Sequence, residues 1–175
     1  AVDVSRRTCR RAESSGNKAN RSKSRDEFQG QVALIKEVLA AMRVDTLEKD
    51  GFEADDVIGT LTTQALADGF EVLICSGDRD AFQLVTDRST VLYPMRGVSE
   101  MARMTPAAVE ERYGVVPGRY PDVAALVGET SDNLPGVPGV GPKTAAKWLA
   151  QYDGLDNVVN RAEEIKGKAG ESLRE

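Results

Sequence analysis

The chain has 175 residues, of which 41% are hydrophobic and 29% charged, and a formal net charge of −5. This composition is typical of a globular protein with one core, and no apolar run approaches the ~18 residues that a bilayer span requires. Because there is no histidine, acid–base or metal chemistry must use carboxylates, Lys, Tyr, Cys or water. Carboxylates favour hard cations such as Mg²⁺ or Mn²⁺ over zinc.

The start of the chain and its cysteines give information about its completeness and its cellular compartment. The sequence does not begin with Met, which predicts a fragment, and no signal peptide is visible. Cys9 and Cys75 form no CxxC pair, and this usage fits a reducing cytoplasm.

The charge is distributed unevenly along the chain. Residues 1–25 carry eight Lys or Arg against two acids, which leaves fifteen basic and twenty-six acidic residues for the remainder. A basic arm on an acidic body indicates a polyanion held by the arm beside cations held by the body. A solvated basic tail is the alternative interpretation of the same charges.

The predicted elements alternate between helices and strands up to about residue 104. In chain order they are a loop or arm (5–25), a helix (26–42), a strand "VDTLEK" (44–49), a helix "EADDVIGTLTTQALADG" (53–69), a strand "FEVLIC" (70–75), a short helix "DAFQLV" (80–85) and a strand "STVLYPM" (89–95). In the second helix, the spacing places Val57, Ile58, Leu61 and Ala65 inward. The alternation predicts an α/β fold, a parallel sheet with helices on both faces.

From Thr105 onward the pattern is helical. "TPAAVEERYG" begins with a threonine cap and a proline at the first helical position, as helices commonly do. We therefore predict two parts: residues 1–104 as an α/β body with a basic arm at 5–25, and residues 105–175 as a helical subdomain.

Acidic residues stand at the ends of four predicted elements. They are Asp3, then Glu53, Asp55 and Asp56, then Asp78 and Asp80, then Glu129 and Asp132. Each group alone also fits a helix N-terminus or a turn. Together they would meet in the crevice at the carboxyl ends of parallel strands, where eight carboxylates would repel one another without cations. The pattern predicts two divalent ions, the arrangement that supports phosphodiester hydrolysis.

A glycine-rich turn follows the last acids. "LPGVPGVGPKTAAKW" places Gly136, Gly139 and Gly141 before a helix that carries Lys143 and Thr144. Glycines let backbone N–H groups approach a phosphate, and the helix start adds a positive dipole end. The pattern predicts a helix–hairpin–helix grip on duplex DNA, and a tight connection between helices is the alternative.

Four long motifs in this order resemble a known family: "GFEADDVIGTLTTQA", "SGDRDAFQLV", "TPAAVEERYGV" and "SDNLPGVPGVGPKTAAKWL". They are similar to the 5′ nuclease domain of the bacterial DNA polymerase I family and its stand-alone flap endonuclease relatives. The resemblance implies a PIN-like (resolvase-like) sheet with a helix–hairpin–helix subdomain. It also implies hydrolysis of DNA or RNA primers at 5′ ends, nicks and flaps in replication and repair, with two Mg²⁺ or Mn²⁺ ions.

The resemblance also assigns roles to residues. The eight acids map onto the family's metal ligands, and "NKANR" maps onto its basic arch, with Lys18 and Arg21 gripping the scissile phosphate. A K⁺ ion at the helix–hairpin–helix is implied as well. So are a bacterial cytoplasmic location near the nucleoid, no membrane partner, and a DNA polymerase that is fused to the chain or cooperates with it.

Three departures from the family pattern keep two alternatives open. The family's first strand and its metal-binding Asp are absent, Asn17 and Cys9 stand where aromatics are usual, and Glu129 replaces an Asp. The alternatives are a catalytically incomplete DNA-binding fragment and a PIN-type ribonuclease that uses the same acids.

Overall fold

The computed structural model describes residues 26–97 and 99–175. Its helices and strands are α1 (Asp26–Ala41), α2 (Ala54–Ala67), β1 (Val72–Cys75), β2 (Ser89–Arg96), β3 (Glu100–Met104), α3 (Pro106–Tyr113), α4 (Tyr120–Val127), α5 (Pro142–Tyr152), α6 (Leu155–Asn160) and α7 (Lys168–Arg174). Short 3₁₀ turns cover Arg79–Leu84, Pro117–Arg119, Thr130–Asp132 and Ala162–Glu164. The predicted basic arm, with Asp3, Lys18 and Arg21, lies outside the described residues.

The three described strands form one sheet in the order β1-β2-β3. β1 pairs with β2 in parallel, with Val72 opposite Ser89, and β2 pairs with β3 in antiparallel fashion, with Val91 opposite Met104. The α/β class is confirmed. The sheet is mixed rather than parallel because β3, which the sequence pattern did not predict, follows β2 through a short connection that suits an antiparallel pair.

Two local predictions were wrong. Residues 44–49 form no strand, and Val44 and Leu47 are exposed, because no described strand pairs with this segment. In α2, Leu61 is exposed while Thr62 is buried. Ile58 packs against the sheet cluster as predicted, so the error concerns Leu61, whose predicted inward place is taken by the adjacent Thr62.

The predicted start of α3 is confirmed. Thr105 Oγ1 accepts a hydrogen bond from the N–H of Ala108 at 3.3 Å, and Pro106 follows the cap. The helix ends at Gly114, whose φ of 73° is the left-handed conformation that favours glycine. Helices occupy most of the remaining chain, as predicted from Thr105 onward.

The buried side chains form two clusters. The first joins the sheet to the helix that follows it: Ile74, Phe82, Val85, Val91, Met104, Val109 and Tyr120. The second joins the later helices: Val115, Val123, Leu126, Val140, Ala145, Trp148, Leu149, Tyr152, Val158 and Ile165. Tyr113 packs against both clusters. The division between residues 104 and 105 stays a prediction.

Within residues 26–97 and 99–175, no helix combines the length and the apolar character that crossing a bilayer demands.

Candidate functional site

The turn after β1 places two of the predicted acids at the carboxyl end of a strand. Asp78 precedes the 3₁₀ turn, and its Oδ1 accepts a hydrogen bond from the N–H of Asp80 at 2.9 Å. The N–H of Asp78 donates in turn to Ser76 Oγ at 3.0 Å. Both carboxylates are half-buried. Hydrogen bonds within the turn therefore fix the backbone that carries them.

A second acidic group lies at the start of α2. Glu53 is the extended residue before the helix, and its side chain is buried, with an exposure of 3%. Its N–H donates to Asp56 Oδ2 at 2.9 Å, which is half of a capping box. Asp55 and Asp56 line a depression of about 740 Å³ together with Asp80. One carboxylate of this group thus has a capping role in addition to any role toward an ion.

The third group lies in the loop after α4. Glu129 exchanges two backbone hydrogen bonds of 2.9 Å with Leu134, which close the loop around Asp132. Ser131 Oγ donates to Glu129 Oε1 at 2.9 Å and so orients that carboxylate. Glu129 and Asp132 line a depression of about 370 Å³ with Asp78.

Asp80 lies close enough to the other acidic groups for their negative charges to affect its ionisation. Burial raises the pKa of Asp80, and the negative charges of Asp78, Asp132, Glu129 and Asp55 raise it further, in that order. Acids from three separate segments of the described chain therefore act on one carboxyl group, and their role as metal ligands stays a prediction. Asp3 lies outside the described residues.

The described acids fit hydrated hard cations. Among the described residues, no three potential ligands stand close enough to enclose an ion by themselves. Mg²⁺ commonly keeps several waters and binds through one or two carboxylates plus substrate phosphates. An all-oxygen donor set without histidine suits that mode.

The structure adds two residues that sequence reasoning missed. Arg79 and Tyr93 line the smaller depression beside Asp78, Glu129 and Asp132. The sequence shows that Arg79 stands between two acids. It does not show that Tyr93, fourteen residues further along, comes close to Arg79.

The predicted glycines divide into two kinds. Gly128 and Gly136 form the closed neck of the acidic loop: a Cβ on Gly128 would come within 2.7 Å of the Gly136 nitrogen, and a Cβ on Gly136 would collide with the Val127 carbonyl. In the part of the chain that the structure describes, no atom beyond the adjacent residues lies within 4 Å of a Cβ built on Gly139 or Gly141. Only these latter two leave room for a ligand at their α-carbons.

The two polar residues predicted to contact DNA follow those open glycines. Lys143 and Thr144 lie in the first turn of α5, which begins at Pro142 after Gly141. Lys143 is exposed and Thr144 is half-buried. The structure therefore places the open backbone and a cation together at the start of this helix.

Two solved structures have the same fold as this chain. The D15 protein of bacteriophage T5, crystallised with metal ions, superposes with a TM-score of 0.81 and is 19% identical, covering 98% of this chain and 67% of that one. A T5 D15 flap endonuclease variant, in a pseudo-enzyme-product complex with DNA and metal ions, gives a TM-score of 0.79 at 18% identity and covers 98% of this chain and 66% of that one. These likenesses establish the fold of the chain.

Two family models match the chain along its whole length. The 5′-3′ exonuclease N-terminal resolvase-like domain matches residues 1–114, and the 5′-3′ exonuclease C-terminal SAM fold matches residues 115–175. The chain belongs to the 5′-3′ exonuclease family. DNA polymerase I of Mycobacterium bovis is 56% identical over 174 residues, which are 99% of this chain and 19% of that relative. The chain thus spans about a fifth of the length of this relative.

Proposed function

We propose that the chain is a divalent-metal-dependent 5′-3′ exonuclease and 5′ flap endonuclease that hydrolyses phosphodiester bonds of DNA in replication and repair. The observation that carries this proposal is the convergence of carboxylates from separate segments around Asp80. Two further facts support it: the chain's place in the 5′-3′ exonuclease family and the T5 flap endonuclease of the same fold, which was solved with DNA and metal ions.

In this proposal the eight predicted acids hold two Mg²⁺ or Mn²⁺ ions. Bound divalent cations supply Lewis-acid stabilisation of the phosphate charge and a water of lowered pKa. The chain's own part is orientation: Asp80 N–H holds the Asp78 carboxylate, and Ser131 Oγ holds that of Glu129. These contacts fix the direction of each carboxylate toward the crevice before an ion or substrate arrives.

Two sets of residues would hold the DNA. Lys18 and Arg21, outside the described residues, draw in the scissile phosphate and neutralise it. The duplex backbone would be contacted through N–H groups and the start of α5, by Gly139, Gly141, Lys143 and Thr144. A K⁺ ion, if bound, would be held in this same segment. Gly136 serves the same grip indirectly, since it closes the neck of the loop beside it.

The substrates we propose are DNA with a 5′ flap, a nick or a free 5′ end, and RNA primers paired to DNA. The similarity to a DNA polymerase I supports work beside a DNA polymerase, in the cytoplasm of a bacterium and near the nucleoid. A duplex grip reads backbone charge and shape rather than sequence, so we expect no strong sequence preference.

A cleavage assay on the full-length protein tests the proposal. A labelled 5′-flap DNA and a single-stranded RNA are each incubated with Mg²⁺, with Mn²⁺ or with EDTA. We expect metal-dependent cleavage of the flap near its junction and slow cleavage of the RNA. Salt-sensitive binding without cleavage would favour a DNA-binding fragment instead, and faster cleavage of the RNA would favour a PIN-type ribonuclease.

Glu129→Asp is expected to be the best tolerated change among the predicted ligands. The charge is kept and only one methylene of reach is lost, so cleavage should fall by less than about 10-fold, as for a weakened supporting contact. Glu129→Gln, which removes the charge at nearly constant size, should cost more. The measurement is the Mg²⁺ dependence of cleavage for both variants, and equal losses would contradict a charge role for Glu129.

A further inference from the structure

Arg79 is a cation placed inside the acidic site. It is the first residue of the 3₁₀ turn, between Asp78 and Asp80, and its side chain is exposed. In the described part of the chain it is the one cationic side chain that lines either depression holding the predicted ligands. The turn that orients Asp78 therefore also presents a positive charge at the same rim.

The guanidinium of Arg79 is held by a tyrosine rather than by the neighbouring acids. Its Nε donates to the Tyr93 hydroxyl in a long hydrogen bond of 3.4 Å. None of the ion pairs within residues 26–97 and 99–175 involves Arg79. The Nη groups carry four of the five N–H donors of an arginine, and none of them donates a hydrogen bond in this part of the chain.

Tyr93 is a fixed anchor. Its ring meets the edge of Phe82, which is fully buried, with ring centroids 5.3 Å apart. The guanidinium of Arg112 lies 5.9 Å from the centroid of the same ring. Packing on the buried Phe82 ring restricts the Tyr93 ring, so the hydroxyl that receives the Arg79 hydrogen bond has a defined position.

We propose that Arg79, held in place by Tyr93, binds a backbone phosphate of the nucleic acid next to the phosphate that is cleaved. This contact lies at the rim of the carboxylate cluster. The inference rests on the proposed function. A planar guanidinium with its Nη groups available matches two phosphate oxygens in a bidentate pair. The surrounding carboxylates repel a polyanion, so a fixed cation at their rim lowers the cost of bringing the strand close.

Three variants of the full-length protein test this role. Arg79→Gln removes the charge, Tyr93→Phe removes only the anchoring hydroxyl, and Arg112→Gln is the matched control. Arg112 carries the same charge and contacts the same ring, but it packs on Tyr93 and Tyr113 and donates to Met95 Sδ rather than lining the depression. All three keep the Phe82–Tyr93 ring contact.

The readout is binding of a fluorescent 5′-flap DNA in EDTA, measured over a range of salt concentrations. For Arg79→Gln we expect Kd to rise about 5- to 10-fold and the log–log salt slope to shrink by about 1, as for loss of one phosphate contact. Tyr93→Phe should raise Kd about 2-fold, and Arg112→Gln should change it less than that. In cleavage assays, Arg79→Gln should raise KM by a larger factor than it lowers kcat.

Two outcomes would overturn the inference: an unchanged Kd and salt slope for Arg79→Gln, or equal losses for Arg79→Gln and Arg112→Gln, which would indicate general charge attraction. Because binding is measured without metal, a wild-type protein that fails to cleave DNA would contradict the proposed function alone. The binding comparison would still decide the role of Arg79.

Discussion

Asp80→Asn is expected to abolish cleavage of 5′-flap DNA and, at the same time, to raise the melting temperature measured in EDTA. The cleavage loss should exceed about 100-fold, because changing even a partner of a metal ligand typically costs 10- to 100-fold. The stability gain follows from the site itself. Asp80 lies among the charges of Asp78, Asp132, Glu129 and Asp55, and a neutral amide of the same shape removes that repulsion.

The stability of the ion-free protein should also depend on pH, in the direction that the stability gain of Asp80→Asn implies. Burial and the nearby carboxylates raise the pKa of Asp80 in the folded chain, so the folded state binds this proton more tightly than the unfolded state. Asp80 therefore destabilises the fold above its folded pKa, and stability should recover as pH falls through that value. Asp80→Asn should remove this contribution, and divalent cations should stabilise the wild type by binding only the folded state.

The control for both measurements is Asp68→Asn. Asp68 is an exposed residue at the C-terminal end of α2 and lines neither depression. We expect wild-type cleavage and a melting temperature without the Asp80→Asn gain. Cleavage retained by Asp80→Asn would contradict the metal-site assignment. A lowered melting temperature in EDTA would show instead that the carboxylate stabilises the fold.

The features that sequence reasoning predicted well are local ones. The Thr105 cap and the proline after it define the start of α3. The acids at element ends could be found because the turn after β1 and the start of α2 have recognisable residue patterns. Such signals depend on contacts between residues that are close along the chain, so a single sequence is enough to identify them.

The features that it missed depend on contacts between distant segments. Three such features are the direction of β3, the burial of Thr62 in α2 and the approach of Tyr93 to Arg79. Each is set by which surfaces pack together. Residue type and spacing do not specify that choice. The same limit explains why Gly136 was grouped with Gly139 and Gly141, although its closest neighbour, Val127, belongs to the preceding helix.

Gly136→Ala is expected to destabilise the protein by about 3 kcal/mol or more, which lowers the melting temperature by roughly 6–12 °C for a chain of this size. Two costs combine. The φ of Gly136 is 61°, a left-handed conformation that costs an alanine about 1–2 kcal/mol. The added methyl would also collide with the Val127 carbonyl and the Gly128 nitrogen, which are backbone atoms with little room to move.

The same glycine series separates folding from DNA binding. Gly141 has an ordinary φ of −105° and no atom within 4 Å of an added Cβ, so Gly141→Ala should leave the melting temperature within about 1–2 °C of wild type. If its α-carbon lies against a phosphate, binding of 5′-flap DNA should nevertheless weaken several-fold.

Gly136→Ala should lose cleavage in proportion to the folded fraction, because the neck it closes positions Glu129 and Asp132. A stable Gly136→Ala protein with weakened DNA binding would show that Gly136 contacts DNA directly.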